Sequence, residues 1–437
     1  MATTKLSRTI GTPTSGTTFT ISAWVKGSVA EGRILTSING NSSQTWVELQ
    51  NSGAFRIANY VGSYNMQLIT TRLFRDPSAW YNFVIAFDTT QGTDTNRVKL
   101  YVNGVQETSF STTTYPSQNL VLKYGVSGQT FNVGAKDTDT YWNGLMSHVH
   151  FIDGTQYAAS EFGETDSTTG EWKIKTSPSV TYGNNGFFIL KDGNSVTDQS
   201  GNSNNFTVAG GTLTNTEDCP DNIFATLNPL DNYYAGSTFS NGNNTIVSVA
   251  GSYTYNTSTI GVASGKFYSE VKVNTNNDNV VGIAGGFSTS DTSKLEDGAN
   301  NYGYVGFDGT VMNNGSTLAT YGTYTTGDII GIAVDCTNNK FYVSKNGVFQ
   351  GSADPSNNTG GLSITAAASV INNVYMFAGG ENSGARTVTH NWNFGNGFFG
   401  VTAVASSNAD AAGHGLFEYA VPTGFYTLNT KNLNTYG

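Results

Sequence analysis

Apolar and polar residues alternate with a period of two along most of this chain, the mark of β-strands with one covered face. In TFTISAWVKGS, from Thr18 to Ser28, Phe19, Ile21, Ala23 and Val25 fall on one face and Trp24 on the other. GRILTSI, TWVELQ, AFRIANYV, MQLITTRLF, WYNFVIAFD, VKLYVNG, TFNVGA and LMSHVHFID continue the series. GKFYSEVKV, VVGIAGGF, NYGYVGFDG, DIIGIAVD, KFYVSKNG and NVYMFAGG repeat it further on. Gly, Asn and Ser punctuate these runs at the spacing of an antiparallel sandwich. No stretch keeps a 3.6-residue period beyond two turns, and AASEFGE (Ala158–Glu164) offers at most one helical turn.

One device occurs twice. FVIAFDTTQGTDTNRVKLYVNGVQE (Phe83–Glu107) and GDIIGIAVDCTNNKFYVSKNGVFQG (Gly327–Gly351) each run an apolar strand to an Asp, then a polar loop, a second strand and Asn-Gly-Val. Asn103-Gly104 and Asn346-Gly347 are the strongest short-range hairpin signals, because a type I′ turn needs positive φ at both central residues. The repetition predicts an all-β chain of two antiparallel sandwich domains: residues 1–162, a partly stranded connector 163–231, a second domain 232–405 and a docking segment 406–437. IFATLNPLDN (Ile223–Asn232) and GFYTLNTKNL (Gly424–Leu433) echo each other and bracket the second domain, so each is expected to dock on its own side of it.

Composition sharpens the picture. At 437 residues the chain exceeds one core. Only 12% of residues are charged, against roughly 25% in ordinary domains, while aromatics reach 12%. Disordered chains lack aromatics, so this is an ordered protein with a neutral polar surface. Lys plus Arg number 21 and Asp plus Glu 31, a net charge of −10 without a basic cluster. That argues against nucleic acid as a partner and against adhesion to anionic membranes by charge. The N-terminus has no hydrophobic signal segment and no 18-residue apolar run exists, so no membrane insertion is expected and synthesis in the cytoplasm is. Cys219 and Cys336 lie too far apart to suggest a disulfide framework, and Cys336 reads as a small core residue.

FTISAWVKGS, AWYNFVIAFD, VKLYVNGVQ and YWNGLMSHVHFIDG resemble laminin-G-like, concanavalin-type jelly rolls. GKFYSEVKV, GDIIGIAVDCTNNKFYVSKNGVF and NWNFGN resemble SPRY domains, in which a Glu at the place of Glu270 is structural. Together with LNPLDNY and LNTKNL, the combination is similar to virion appendage proteins of marine tailed bacteriophages. That resemblance implies a non-enzymatic tail fibre, adhesin or decoration protein of the virion. Its partners would be other virion proteins and a host surface glycan, and phage fibres are commonly homotrimers. The neutral strands, poor in Lys and Pro, independently favour oligomers through unprotected edges. Both ends are expected to be tied down.

Candidate chemistry is thin. A retaining glucanase needs two carboxylates about 5–5.5 Å apart, yet Glu48 and Glu270 stand alone on their strands, so a depolymerase is the distant reading. His148 and His150 alternate on one core strand without the further ligands zinc requires, and His390 and His414 are isolated. Asp137 and Asp139 in KDTDTYWNG, with Asp192 and Asp198 in a second Asn-rich loop, have the oxygen-rich composition calcium takes; the same residues are ordinary turn formers. Glycan binding needs exposed rings beside hydrogen-bonding side chains on loops. Tyr60 and Tyr64, Tyr141, Trp142 and Asn143, and Asn300, Tyr302 and Tyr304 fit that composition, although alternation turns some of these rings into the core.

Overall fold

The computed structural model describes residues 3–27, 31–191, 193, 195–231, 237–248, 251, 253–275, 278–287 and 294–437. The chain is nearly all β and divides into two compact units, Met1–Asn215 and Thr216–Gly437. The segment 163–231 is shared between them, and the expected domain start at Asn232 lies outside the described residues.

The first unit stacks an eight-stranded sheet on a six-stranded one. At the centre of the first sheet, Gly32–Ile38, Ser43–Leu49, Ala54–Val61 and Tyr64–Leu73 pair in sequence order. At the centre of the second, Thr18–Gly27 lies between Gly144–Asp153 and Tyr81–Asp88. Phe19, Ile21, Val47, Ile57, Phe83 and Phe131 meet in the core between the sheets. Trp24, placed by alternation on the opposite face, is also covered, at 4% exposure. Residues 187–189 and 207–210 complete this unit, pairing with Gly144–Asp153 and Lys5–Thr9 respectively. Lys5–Thr9 also pairs with Thr130–Val133, so the N-terminal strand is tied within its own unit.

The second unit repeats the plan with Lys266–Val273, Ile329–Asp335 and Lys340–Lys345 in one sheet. Met376–Glu381, Asn279–Ala284 and Asn301–Val305 lie in the other. The echoing segments do not dock on separate sides of this unit. They pair with each other: Ala225 N donates to Leu428 O at 3.0 Å and Thr430 N to Ile223 O at 3.0 Å. Tyr426–Thr427 then adds in parallel to Lys266–Val273. A short helix, Thr430–Tyr436, closes the chain, with Asn429 accepting from Asn432 N at 2.9 Å as its cap.

Both Asn-Gly hairpins form as the sequence predicts. Asn103 and Gly104 have φ of 46° and 80°, Asn346 and Gly347 49° and 80°. In each, the Asn side chain accepts from a backbone N–H at the start of the strand paired with the one before the turn: Asn82 at 2.8 Å, Ile329 at 2.9 Å. Each Gly lies under an aromatic ring from later in its unit, Trp172 over Gly104 and Tyr419 over Gly347. Ala158–Glu164 holds a single 3-10 turn, Ala159–Glu161. Both cysteines are free.

Candidate binding surface

Alternation in Ser43–Leu49 sends Val47 and Leu49 into the core and therefore Gln44, Trp46 and Glu48 to the other face of the sheet. Register does the rest. Glu48 stands opposite Arg33 on one neighbour and Arg56 on the other. Arg33 Nε donates to Glu48 Oε2 at 3.1 Å and its Nη1 to Gln44 Oε1 at 2.7 Å. Arg56 holds Oε1 of the same carboxylate. Burial pushes the Glu48 carboxyl up, while Arg56 and Arg33 pull it back. The fixed Arg33 guanidinium lies 4.3 Å from the centre of the Trp46 ring, within cation–π range.

This stack carries two further rings. Tyr64 lies 6.1 Å from Trp46, and Tyr60 meets Tyr64 edge-on at 5.2 Å. Trp46 is only 2% exposed, whereas Tyr64 is 45% exposed beside an equally exposed Val61. The arrangement offers a ring edge and face to solvent on a base that is buried, charged and immobilised. It can stack on an apolar ring face and exchange hydrogen bonds through the Tyr60 and Tyr64 hydroxyls.

The other expected site residues are placed differently. Trp142 belongs to the core of the first unit, 7% exposed, its Nε1 donating to Leu145 O at 3.3 Å. Tyr141 and Asn143 beside it are half-buried. Tyr302 and Tyr304 are core residues of the second unit, at 4% and 0% exposure. Tyr302 Oη accepts from Thr365 N at 2.9 Å and Tyr304 Oη donates to Gly322 O. Asn300, half-buried, lends its carbonyl to Gly285 N at 2.9 Å. The Trp142, Tyr302 and Tyr304 rings are therefore corrected from ligand contacts to packing, since a buried ring has no face left for a ligand.

Asp137 pairs with Lys5 at 2.9 Å and Asp139 with Lys136 at 3.4 Å, and among the described residues no group of three or more His, Cys, Asp or Glu could hold a metal. Asp198 is 8% exposed and accepts from the N–H groups of Phe188, Ser200 and Asn204. Asp192 lies outside the described residues. His150 is core, stacked on Phe188 at 3.9 Å, and burial holds its pKa well below the usual value. Glu48 and Glu270 are each 0% exposed and engaged on both oxygens, so neither can reach a glycosidic bond. Among the described residues no helix is long and apolar enough to cross a membrane.

Sequence reading singled out Tyr60 and Tyr64 as candidates and passed over Arg33, Trp46 and Arg56, which the structure places beside them. The alternation Gln44, Trp46, Glu48 marked their face, and only the register could bring the two arginines to it.

The family model of the concanavalin A-like lectin/glucanases superfamily, of laminin-G type, matches residues 4–160. No curated protein matches the sequence. Among solved structures, the SPRY domain of human HERC1 is 16% identical with a TM-score of 0.31, covering 38% of this chain and 96% of its own. A further human SPRY domain is 14% identical with a TM-score of 0.26, covering 36% and 93%. The heptameric SAP-like pentraxin of Limulus polyphemus is 13% identical with a TM-score of 0.29, covering 44% and 90%. Residues 4–160 are thus similar to concanavalin A-like domains.

Proposed function

We propose that this is a non-enzymatic virion protein of a tailed phage, and that its first unit binds a host surface glycan through Tyr60 and Tyr64. The observation that carries the reading is the exposed Tyr64, with half-buried Tyr60 edge-on to it, packed beside a buried Trp46 that stacks on an Arg33 held by Glu48 and Gln44. Rigid rings lose little entropy on binding, and stacked sugars need flat apolar faces flanked by hydroxyls. The lectin-type family match over the same residues supports a carbohydrate over other ligands. The test is binding of the purified chain to extracted host polysaccharides, beside its Tyr60→Ala/Tyr64→Ala variant. Retained binding in the folded variant would reject the site. Labelling of intact particles with an antibody to the chain tests the virion assignment separately.

A second reading is favoured by the sheet edges. Phe110–Thr114 and Ser316–Thr320 end their sheets without a Lys, Asp, Glu or Pro, leaving edges open to another chain. On this reading the contacts are mainly with other virion proteins or with copies of this chain, the trimer being the number to test. Sedimentation of the purified protein as a monomer at micromolar concentration would reject self-assembly.

A further inference from the structure

The sequence contains eight Asn-Gly pairs, and the structure treats one of them unlike the rest. Asn-Gly is chemically labile because the Gly N–H, unhindered by a side chain, can attack the neighbouring amide carbon; Asn is accordingly counted among thermolabile residues. Attack requires a free amide, a free Gly nitrogen and room to rotate.

Seven pairs lack one of these. Asn103 and Asn346 sit in left-handed turns with their side-chain oxygens held by Asn82 N and Ile329 N. Asn241 is left-handed and donates to Thr245 Oγ1 at 2.9 Å. Asn314 is exposed, but the N–H of Gly315 is occupied by Glu296 O at 3.1 Å. Asn185 and Asn396 are 2% and 4% exposed, and Gly397 N is bonded to Asn393 Oδ1. Asn143 is half-buried, with Gly144 packed against the Lys26 backbone and Trp142.

Asn39 meets every requirement. It is exposed in the loop after Gly32–Ile38, its side chain makes no hydrogen bond among the described residues, and neither does the N–H of Gly40. Beyond its two chain neighbours, no atom among the described residues lies within 4 Å of where a Gly40 side chain would start.

We propose that Asn39 is a site of spontaneous covalent modification. The Gly40 nitrogen bonds to Asn39 Cγ, the Cγ–Nδ2 bond breaks, and ammonia leaves with the Gly40 proton, closing a succinimide. Water then adds to one imide carbonyl. Opening at Cγ gives aspartate, and opening at the main-chain carbonyl gives isoaspartate, with the backbone lengthened by one carbon. The reaction needs only water, and nothing is oxidised or reduced. The new carboxylate appears beside the candidate binding surface, because Ser42 O accepts from Gly62 N at 3.0 Å in the turn between Tyr60 and Tyr64. That consequence rests on the glycan reading; the modification does not.

The test is peptide-resolved mass spectrometry of the intact chain aged in mildly alkaline buffer, beside a fully denatured sample. Denatured, all eight pairs should convert at comparable rates. Folded, Asn39 should keep its denatured rate within about twofold, while Asn103 and Asn346 slow by at least about tenfold, the ratio that about 1.4 kcal/mol of local opening carries. Asn39→Gln should abolish the earliest product and leave the other sites unchanged. Asn39 slowed as much as Asn103, or a different pair converting first, would overturn the proposal.

Discussion

Glu48 in the first unit and Glu270 in the second are both strand glutamates without solvent exposure, and they are held by different means. Glu48 lies between two guanidiniums. Glu270 receives the backbone N–H groups of Glu418 and Tyr419, each at 2.9 Å, and the hydroxyl of Tyr268 at 3.2 Å. The first solution fixes side chains on a sheet face and gives the Trp46–Tyr64 stack its base. The second fixes backbone: it holds the segment 417–419 over Lys266–Val273, setting the Tyr419 ring over the Gly347 turn. A charge pair therefore supports a surface in one unit, and an amide nest closes a chain end in the other.

The largest test of this contrast is Glu48→Ala. It strands Arg33, whose side chain is 6% exposed, without its counter-ion. Breaking a buried pair from one side costs about 3–5 kcal/mol. Hydrogen exchange, read separately for residues 3–215 and 216–437, should show the loss in the first unit alone. Equal loss in both would mean that the two do not unfold independently.

Next comes pH. Burial pushes Glu270 up from 4.5 to about 7. A carboxyl raised on folding favours the protonated state, so its stabilisation is complete below about pH 4.5 and disappears as pH rises through about 7. Over that window the second unit should lose up to about 3 kcal/mol from this group. Glu296, also pushed to about 7 by burial, adds to the same slope. Glu270→Gln should flatten the slope in part and leave the Glu296 share. In the first unit two arginines oppose the burial of Glu48, so its stability should fall less over the same range. Denaturation midpoints at pH 5 and pH 8 decide this, and a steeper fall in the first unit would break the comparison.

The two hairpins supply the third test. At Gly347 a Cβ would stand 2.5 Å from Tyr419 Cδ1, and at Gly104 it would enter the Trp172 ring, both at φ of 80°. Gly104→Ala and Gly347→Ala should each destabilise their own unit by about 1–3 kcal/mol through left-handed strain. Each effect should be confined to the unit that carries the mutation.

These hairpins were legible because Asn-Gly between alternating strands is a local signal. The all-β class and most strands were legible for the same reason. What escaped depends on contacts distant in sequence. Alternation implied that some of the candidate rings would be core but could not say that Trp142, Tyr302 and Tyr304 were the ones. The pairing of 223–225 with 428–430 joins segments two hundred residues apart, and their likeness suggested two docking places where there is one. The helix Thr430–Tyr436 has no apolar period and rests on the Asn429 cap. At the candidate surface, composition singled out Tyr60 and Tyr64, whereas Arg33 and Arg56 reach Glu48 only through register.

The smallest expected effect on stability separates the aromatic candidates of the two units. Tyr64 is 45% exposed and Tyr302 4%, although both sit in stretches rich in Tyr and Asn. Tyr64 is no part of the core cluster, and Trp46 keeps its arginine base without it, so Tyr64→Ala should cost no more than about 0.5 kcal/mol of folding stability. Removing Tyr302 takes a ring from the core beside Phe341 and Tyr375 and leaves Thr365 N without its acceptor, a loss of about 3–5 kcal/mol. For binding the order should invert. Tyr64→Ala should weaken glycan affinity by about 1 kcal/mol, roughly fivefold, the worth of one stacked ring. Tyr302→Ala, assayed under conditions where the first unit remains folded, should bind the glycan as the unmodified chain does. Titration calorimetry beside thermal unfolding reads both quantities on the same samples. Undiminished affinity in Tyr64→Ala would remove the exposed ring from recognition and leave the first unit's stack as sheet-face packing alone.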